Sequence, residues 1–371
     1  MTILLMLLPA AAAFQQAARG TSLSQTRRLR SPHFATSPSQ LEQLAGMTTI
    51  SIDSGDLDAI EHFSKTGFIT DATTNPLFVA QVGLSGHSTY QLLVEESVLH
   101  AKENGGGVDL AMDALAVNLG ERISKLVDGY VSTEVDPRLS FDEEATVAKG
   151  RKIIELYESK GVDRSRILVK IAATWEGIQA AARLEKENIA CNLTLVFSEI
   201  QGIACAQHGA TLISPFPGRL LDWHNAKDGR LSGVDDPLED EGVQCVTRLH
   251  KYFRLHKHRN TILMPASWRP SRKTGDPINE LDEILALAGV DRMTIPVPLL
   301  TMLLESNDKV ERKLFDNNIE VLEEIGGGRV DEKTFRLMLN EDACGTEKLA
   351  EGLRAFIALT NELEGAMSKF F

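Results

Sequence analysis

The stretch from Ile167 to Thr174, Ile-Leu-Val-Lys-Ile-Ala-Ala-Thr, sets one lysine inside an otherwise apolar segment of β-prone residues. Its length and composition predict a buried strand. Burial removes water from an ammonium group and favours the free amine, which is the form that attacks a carbonyl carbon. Lys170 is therefore a candidate Schiff-base nucleophile. The alternative is a lysine whose aliphatic stem lies along the core while its head reaches water.

Apolar runs of this kind alternate with longer amphipathic stretches from Met47 onward, which is the pattern of repeated β-α units around a parallel sheet. Eight strands are predicted, at Thr49–Asp53, Phe68–Thr73, Tyr130–Val135, Ile167–Ala172, Ala190–Val196, Ala210–Phe216, Thr261–Ser267 and Arg292–Val297. Helices are predicted at Asp56–Ser64, Asp109–Leu126, Asp142–Ser159, Thr174–Glu187, Ser198–His208, Gly242–His256 and Asn279–Ala288.

The sequence therefore predicts an α/β fold, a single (β/α)8 TIM barrel over residues 47–371. Glu347–Met367 is expected to add an extra C-terminal helix that packs across the barrel. Ser140, with Glu143 three residues on, and Thr174 are predicted to cap the helices that follow them.

The composition excludes several classes of partner and cofactor. A net charge of −13 argues against nucleic acid or an anionic membrane as partner, because both require clustered positive charge. The four cysteines form no CxxC pair and no short regular spacing, so neither a zinc site nor a disulfide framework is implied. Because the chain has no HExxH or GxGxxG motif, no metal or dinucleotide site is predicted either.

Residues 1–46 differ in composition from the rest of the chain. Ile3–Ala13 is short and apolar and ends in alanines, which is typical of a signal-peptide core and cleavage site, although no basic residue precedes it. Gln15–Leu41 lacks acidic residues and carries arginines among Ser, Thr, Pro and Gln, as transit peptides do. We interpret residues 1–46 as a bipartite leader, disordered or removed, that resembles those directing proteins to the plastid stroma. A mitochondrial or cytoplasmic location is the alternative.

Polar side chains lie at the carboxyl ends of the predicted strands, which is the end where barrel enzymes hold their chemistry. Two carboxylates beside a lysine supply the proton transfers of imine chemistry. Two arginines supply the geometry for an anionic, phosphorylated end of a substrate. The strand ends deliver Asp53, Asp71, Thr73, Asn75, Glu134, Lys170, Asn192, Thr194, Ser214, Arg219, Ser267 and Arg269.

Segments at these strand ends closely resemble, in family order, the motifs of the classical, larger transaldolase subfamily. They are Asp71–Pro76, Ser132–Asp136, Ile167–Ala172, Cys191–Leu195 and Ile213–Phe216. The resemblance implies a Schiff-base enzyme of the non-oxidative pentose phosphate pathway. Such an enzyme moves a dihydroxyacetone unit from sedoheptulose 7-phosphate to glyceraldehyde 3-phosphate, giving erythrose 4-phosphate and fructose 6-phosphate. It also implies a homodimer that needs no metal or organic cofactor, because the protonated imine is itself the electron sink.

The same resemblance assigns roles to single positions of this sequence. It makes Lys170 the imine-forming residue and Asp53 the acid/base at the C4 hydroxyl of the ketose. Glu134, with Thr194 and a water, is expected to transfer protons during imine formation. The implied substrate-binding residues are Asn75 and Ser214 for the dihydroxyacetone unit, Arg219, Ser267 and Arg269 for the phosphate, and Thr73, Asn192 and Phe216 beside them.

Two other functions stay open at this point. A fructose 6-phosphate aldolase of the same superfamily releases free dihydroxyacetone, and that family resembles a pattern with Gln and Tyr where this chain has Glu134 and Phe216. A catalytically silent barrel that serves as a binding protein is expected to have lost Asp53, Glu134 or Lys170. All three residues are present, which favours an enzyme.

The loop Pro270–Pro277 departs from the family pattern, because the family usually continues without it. Its basic residues Arg272 and Lys273 either add to the phosphate site or belong to a solvated loop with no role.

Overall fold

The computed structural model describes residues 37–230, 233–272, 279–316 and 328–371. Eight parallel strands form one sheet in the order β7-β6-β5-β4-β3-β2-β1-β8. They are β1 (Thr49–Asp53), β2 (Ile69–Thr73), β3 (Val131–Glu134), β4 (Ile167–Ala172), β5 (Cys191–Val196), β6 (Leu212–Pro215), β7 (Ile262–Leu263) and β8 (Arg292–Pro296). The sheet closes where the Thr294 N–H of β8 donates to the Pro265 carbonyl just beyond β7, at 3.2 Å. The predicted (β/α)8 barrel is confirmed.

Side chains of β4 alternate between the two surfaces of the barrel wall. Its odd-numbered residues, from Ile167 to Ile171, belong to the main hydrophobic core. Leu168 instead joins Leu212 and Met264 in a small separate apolar cluster inside the barrel. Lys170 follows Leu168 by two residues, so it lies on the same inner surface. Every residue of β4 is buried, and this wall keeps Lys170 away from bulk water.

Helices surround the barrel. In chain order, the α-helices of the described residues are α1 (Gln40–Ala45), α2 (Leu57–Ser64), α3 (Pro76–Leu84), α4 (Ser88–Glu103), α5 (Val108–Ser124), α6 (Glu143–Ser159), α7 (Trp175–Lys186), α8 (Glu199–Gln207), α9 (Pro217–Asp228), α10 (Glu241–Leu255), α11 (Asp282–Ala286), α12 (Val297–Glu305), α13 (Glu332–Glu341) and α14 (Ala343–Met367). The sequence pattern does not predict α1, α3, α4, α9, α12 or α13. Two of them, α3 and α12, are apolar on nearly all sides, so no amphipathic period marks them.

The strand predicted over Thr261–Ser267 is wrong in length. The ladder of β7 covers only Ile262–Leu263. Pro265 has no N–H to donate to a neighbouring strand, and Ser267 adopts a left-handed backbone with φ 64°. The chain nevertheless stays beside β6 as far as Ala266, whose N–H donates to the Pro215 carbonyl at 2.9 Å.

One of the two predicted helix caps is correct. Thr174 caps α7, because its hydroxyl oxygen accepts the Gly177 N–H at 2.9 Å. The cap of α6 is Asp142, whose carboxylate accepts the Ala145 N–H at 2.9 Å. Ser140, predicted for that position, donates its hydroxyl to a preceding carbonyl instead.

Helix α1 packs on the barrel although it lies before residue 47, where the barrel domain is predicted to begin. Leu41 and Leu44 are fully buried in the main core. The Gln40 N–H donates to the Ser306 carbonyl at 2.7 Å. One compact unit runs from Pro38 to the C-terminus. The residues predicted to form the leader's signal and transit elements lie mostly in 1–36, outside the described residues.

Helix α14 is the expected additional C-terminal helix, and it begins a few residues before the predicted Glu347. It contacts β5 as well as helices α3 and α9, which follow strands β2 and β6. No helix of the described residues combines the length and apolar character needed to cross a membrane. The four cysteines are buried and free.

Candidate active site

Lys170 lies on the inner wall of the barrel beside a carboxylate from the neighbouring strand. The register of β3 and β4 pairs Glu134 with Lys170, so both side chains extend to the same side of the sheet. The Lys170 Nζ lies 3.2 Å from Glu134 Oε2, and it donates to the Thr74 carbonyl at 3.2 Å. Both side chains are only 4% exposed. The barrel thus holds an amine and a carboxylate in contact, away from bulk water.

Glu134 has spare capacity to accept a hydrogen bond. The contact with Lys170 lacks good hydrogen-bond geometry at Oε2, and this buried oxygen has no hydrogen-bond partner among the described residues. Burial raises the pKa of Glu134, while the Lys170 charge acts against that rise. A carboxyl group with a raised pKa beside an amine can both accept and return a proton.

Asp53 is a second carboxylate, located at the end of β1. Burial raises its pKa to about 6, and the positive charges of Lys170 and Arg219 each act to lower it. Asp53 is therefore within electrostatic range of both the amine and an arginine. A carboxyl group with a pKa near 6 exchanges between its acid and base forms close to neutral pH.

A chain of neutral polar groups lines the wall next to Lys170. Asn192 is the partner of Lys170 in the register of β5 with β4. Its Nδ2 donates to Ser132 Oγ at 3.1 Å, and its Oδ1 accepts from Ser214 Oγ at 2.8 Å. Thr194, two residues further along β5, is fully buried, and its hydroxyl has no partner among the described residues. Since an unsatisfied buried hydroxyl is costly, this is a position for a water or a substrate atom.

Thr73 and Asn75 lie where β2 leads into α3. The Thr73 hydroxyl shares a 3.0 Å hydrogen bond with Ser51 Oγ on the adjacent strand. Asn75 is the N-cap of α3, and its Oδ1 accepts the Phe78 N–H at 3.1 Å. The cap uses the amide oxygen and fixes the side chain, so a ligand can be held through the NH2 group.

Asp71 belongs to the opposite end of the barrel, and its placement at the rim is wrong. Its Oδ1 accepts the Tyr130 N–H at 2.8 Å, just before β3 begins. Its other oxygen pairs with Arg292, the first residue of β8. The side chain of Asp71 therefore ties together the amino ends of strands.

A second group of predicted residues meets where β6 leads into α9. Phe216 is buried, and the Arg219 guanidinium lies over its ring, 5.2 Å from the centroid. Burial lowers the pKa of Arg219, and the charge of Arg269 lowers it further. Two guanidinium groups that repel each other form a positive pocket, which a bound anion would stabilise.

Gly218 allows α9 to lie close to Ser267 and Arg269. A Cβ at Gly218 would lie 2.7 Å from the Arg269 Cγ and would also contact the Ser267 carbonyl. Ser267 is one of the few non-glycine residues with positive φ. The Arg269 Nε meets Asp222 Oδ2 at 3.0 Å. The structure thus brings Arg219, Ser267 and Arg269 together.

Ser51 and Ser132 are wall residues that were not predicted to belong to the site. Each lies two positions before a predicted site residue on its own strand, Asp53 and Glu134 respectively. Side chains two positions apart on a strand point to the same face, and this spacing could have predicted both serines. Of the two basic loop residues, Arg272 pairs with Asp282, and Lys273 lies outside the described residues.

One further group contains metal-ligand atoms. His224, Asp228 and Glu241 bring such atoms within 4.8 Å of one another. However, Glu241 Oε1 is already bound by the Arg230 guanidinium at 2.6 Å. A cation there would have to displace that guanidinium, so this group does not favour a metal centre.

Fold and site together define a (β/α)8 barrel in which a buried lysine contacts one carboxylate. A second carboxylate lies within electrostatic range of that lysine and of an arginine of the positive pocket. Residues 50–367 match the family described as "Transaldolase/Fructose-6-phosphate aldolase". The chain belongs to this family.

Similar proteins from bacteria share nearly the whole described region. A protein named "Transaldolase" from Marinobacter nauticus is 46% identical over 330 residues, which is 88% of this chain and 96% of that protein. The "Transaldolase" of Methylobacillus flagellatus is 45% identical, over 88% of this chain and 98% of that protein. The "Transaldolase" of Alteromonas mediterranea is 44% identical, over 88% and 97% respectively.

Proposed function

We propose that this chain is a transaldolase that works through an imine on Lys170. It transfers a dihydroxyacetone unit from sedoheptulose 7-phosphate to glyceraldehyde 3-phosphate, in the non-oxidative pentose phosphate pathway. The observation that carries the proposal is the 3.2 Å contact between the buried Lys170 amine and Glu134, within electrostatic range of Asp53. The relatives named "Transaldolase" support the same reaction.

Imine formation begins with a proton passing from the Lys170 ammonium to Glu134. The free Nζ then attacks the C2 carbonyl carbon of the ketose and forms a carbinolamine. Glu134, now protonated, returns the proton to the C2 hydroxyl, which leaves as water when the protonated imine forms. The unpartnered Thr194 hydroxyl and Glu134 Oε2 can hold the water that carries these protons.

Cleavage of the C3–C4 bond requires a base at the C4 hydroxyl, and Asp53 supplies it. As Asp53 takes this proton, the C4 oxygen becomes the carbonyl of erythrose 4-phosphate. The electron pair of the broken bond moves into the protonated imine and gives an enamine. The enamine carbon then attacks the aldehyde of glyceraldehyde 3-phosphate, and Asp53 returns the proton. Hydrolysis of the new imine releases fructose 6-phosphate.

The neutral polar wall would retain the three-carbon unit between these two half-reactions. Asn192 lies beside Lys170, and Ser214 is fixed by its bond to Asn192. Asn75 can add its NH2 group, and Thr73 lies beside Asp53 in the strand register. At the other end of the substrate, the phosphate would be bound by Arg219, Ser267 and Arg269, which enclose the positive pocket.

The alternative reaction is that of a fructose 6-phosphate aldolase, which releases free dihydroxyacetone. The presence of Glu134 and Phe216, rather than Gln and Tyr, favours transfer. One assay distinguishes the transfer reaction from the release of free dihydroxyacetone. With fructose 6-phosphate alone, we expect little free dihydroxyacetone, and with an added acceptor aldehyde we expect the ketose product.

Trapping of the imine tests the proposal directly. The protein is incubated with fructose 6-phosphate and borohydride, and its mass is then measured. We expect a stable adduct of dihydroxyacetone mass on Lys170, and none on Lys170→Ala protein that keeps the wild-type circular dichroism spectrum. Folded wild-type protein without an adduct would point to the silent-barrel alternative.

We also propose that the chain forms a homodimer, as the family resemblance implies. Sedimentation of the mature protein is expected to give twice the subunit mass at micromolar concentration. A monomeric mass for fully active enzyme would contradict this.

We propose further that the leader directs the protein to the plastid stroma and is removed before Pro38. The support is the arginine-rich, acid-poor composition of the segment and the burial of Leu41 and Leu44. The N-terminal sequence of the protein purified from its source gives the cleavage site, and a fluorescent fusion of residues 1–46 gives the compartment. A fusion that stays in the cytosol would overturn the assignment.

A further inference from the structure

Three buried acidic side chains form hydrogen bonds with the short loop Arg269–Arg272, which follows β7. The Arg269 N–H donates to Glu283 Oε2 at 2.6 Å. The Ser271 hydroxyl donates to Asp240 Oδ2 at 2.7 Å. The Arg272 N–H donates to Asp282 at 3.1 Å, and the Arg272 guanidinium binds the same carboxylate. The loop is therefore fixed at both ends and in the middle.

Burying carboxyl groups costs folding free energy, and an ordinary surface loop does not require it. Glu283 and Asp240 are fully buried, and Asp282 is 2% exposed. Asp282 is paired with Arg272, and Asp240 also caps α10 by accepting the Gly242 N–H. Glu283 accepts only a backbone N–H, and its Oε1 has no partner among the described residues. This arrangement indicates that the position of the loop serves a function beyond stability.

The protonation state of Glu283 is also compatible with a neighbouring anion site. A charged carboxylate at Glu283, which contacts the Arg269 backbone, would repel a phosphate bound by Arg269. Burial raises the pKa of Glu283 well above its usual range, and the charge of Asp240 raises it further. The neutral acid can accept the Arg269 N–H without opposing the positive pocket.

We propose that Glu283 is a positioning residue for the phosphate end of the substrate. By fixing the Arg269 backbone, it sets the direction in which the Arg269 side chain reaches the pocket shared with Arg219. It thereby controls selection for phosphorylated over unphosphorylated substrates and has no part in imine chemistry. This inference rests on the proposed function, in which Arg269 binds the phosphate.

The test measures kcat/KM for two acceptors, glyceraldehyde 3-phosphate and unphosphorylated glyceraldehyde, with sedoheptulose 7-phosphate as donor. Glu283→Leu is expected to lower the preference for the phosphorylated acceptor roughly tenfold, about the effect of one hydrogen bond. Glu283→Gln keeps a neutral acceptor for the Arg269 N–H and is expected to retain the preference. Ser271→Ala, a smaller change that loosens the same loop, should lower the preference in the same direction if Glu283→Leu does not fold.

Glu185 supplies the matched control. This half-buried carboxylate accepts the backbone N–H groups of Cys191 and Thr211, where β5 and β6 begin. Glu185→Leu is expected to lower the melting temperature without changing the acceptor preference. If Glu283→Leu behaves like Glu185→Leu, or if Glu283→Leu lowers both acceptor activities equally, the positioning role is overturned. Arg269→Ala distinguishes failure of the positioning role of Glu283 from failure of the proposed phosphate site. If Arg269→Ala also leaves the preference for the phosphorylated acceptor unchanged, Arg269 does not bind the phosphate.

Discussion

At the scale of single residues, Asp53 sets the expected acid limb of the pH profile. Burial raises its pKa to about 6, and the proposed base must be deprotonated. Protonation below pH 6 removes the base, so kcat/KM should fall about tenfold per pH unit there and be level just above it. The pH dependence of kcat/KM for fructose 6-phosphate checks this.

Arg219 provides the internal control for that assignment. Its charge lowers the pKa of Asp53, so Arg219→Gln should move the acid limb to higher pH, besides weakening phosphate binding. A limb that stays in place or moves to lower pH would show that another group controls it.

Arg269 is predicted to act on phosphate binding and not on the chemical step. Arg269→Ala should raise KM for glyceraldehyde 3-phosphate roughly ten- to a hundredfold, because it removes charge-assisted hydrogen bonds. Steady-state kinetics with unphosphorylated glyceraldehyde should change less than about twofold. Arg248→Ala is the matched control, because that guanidinium pairs with Glu199 between two helices. Equal losses with both acceptors would contradict the role.

The grouping of the proposed catalytic residues was predictable because strand ends of a barrel converge. Lys170, Glu134 and Asp53 each end or interrupt an apolar run, and the fold brings them to one wall. Glu283 was not predictable in the same way. It lies in a stretch with helical character, and its contact with Arg269 depends on how the chain returns after the loop. The placement predicted for Asp71 was wrong, because strand position alone does not give the end toward which a mid-strand side chain reaches.

At the scale of elements, the approach of α9 to the end of β7 depends on Gly218. The methyl group in Gly218→Ala would lie 2.7 Å from the Arg269 Cγ and 2.8 Å from its N, so the loop must move. We expect a raised KM for phosphorylated substrates, with the Lys170 imine still trapped by borohydride. Gly365→Ala is the control, because nothing lies within 4 Å of its added Cβ. An unchanged KM for Gly218→Ala would show that the loop accommodates the methyl group.

Helix boundaries were predictable only where local chemistry decides them. Thr174 lies two residues beyond Ala172, where β4 ends, and its hydroxyl accepts the Gly177 N–H, so the predicted cap is the observed one. At α6 two candidates compete, and Asp142 takes the cap because Ser140 is drawn into the turn before it. Helices α3 and α12 were not predicted, because apolar residues on nearly all sides leave no helical period in the sequence.

At the scale of the whole molecule, the number of strands and the barrel were predictable, but the geometry of the seam between β7 and β8 was not. The seam between β7 and β8 depends on the Thr294 N–H reaching the Pro265 carbonyl. A proline in that position shortens the ladder of β7, and sequence alone does not give the register across such a seam. The start of the folded unit was missed for a related reason, since α1 is too short to show a period of its own and its burial comes from the barrel.

Helix α1 is expected to stabilise the barrel. A chain beginning at Pro38 should be as stable as one carrying the leader, whereas a chain beginning at Met47 loses the burial of Leu41 and Leu44. Two fully buried leucines correspond to roughly 3–6 kcal/mol of unfolding free energy. Urea unfolding of the two shortened chains measures the difference, and Leu41→Ala with Leu44→Ala in the Pro38 chain should reproduce most of it. Equal midpoints for both chains would mean that α1 adds nothing to the barrel, and cleavage near residue 46 would then be compatible with a stable enzyme.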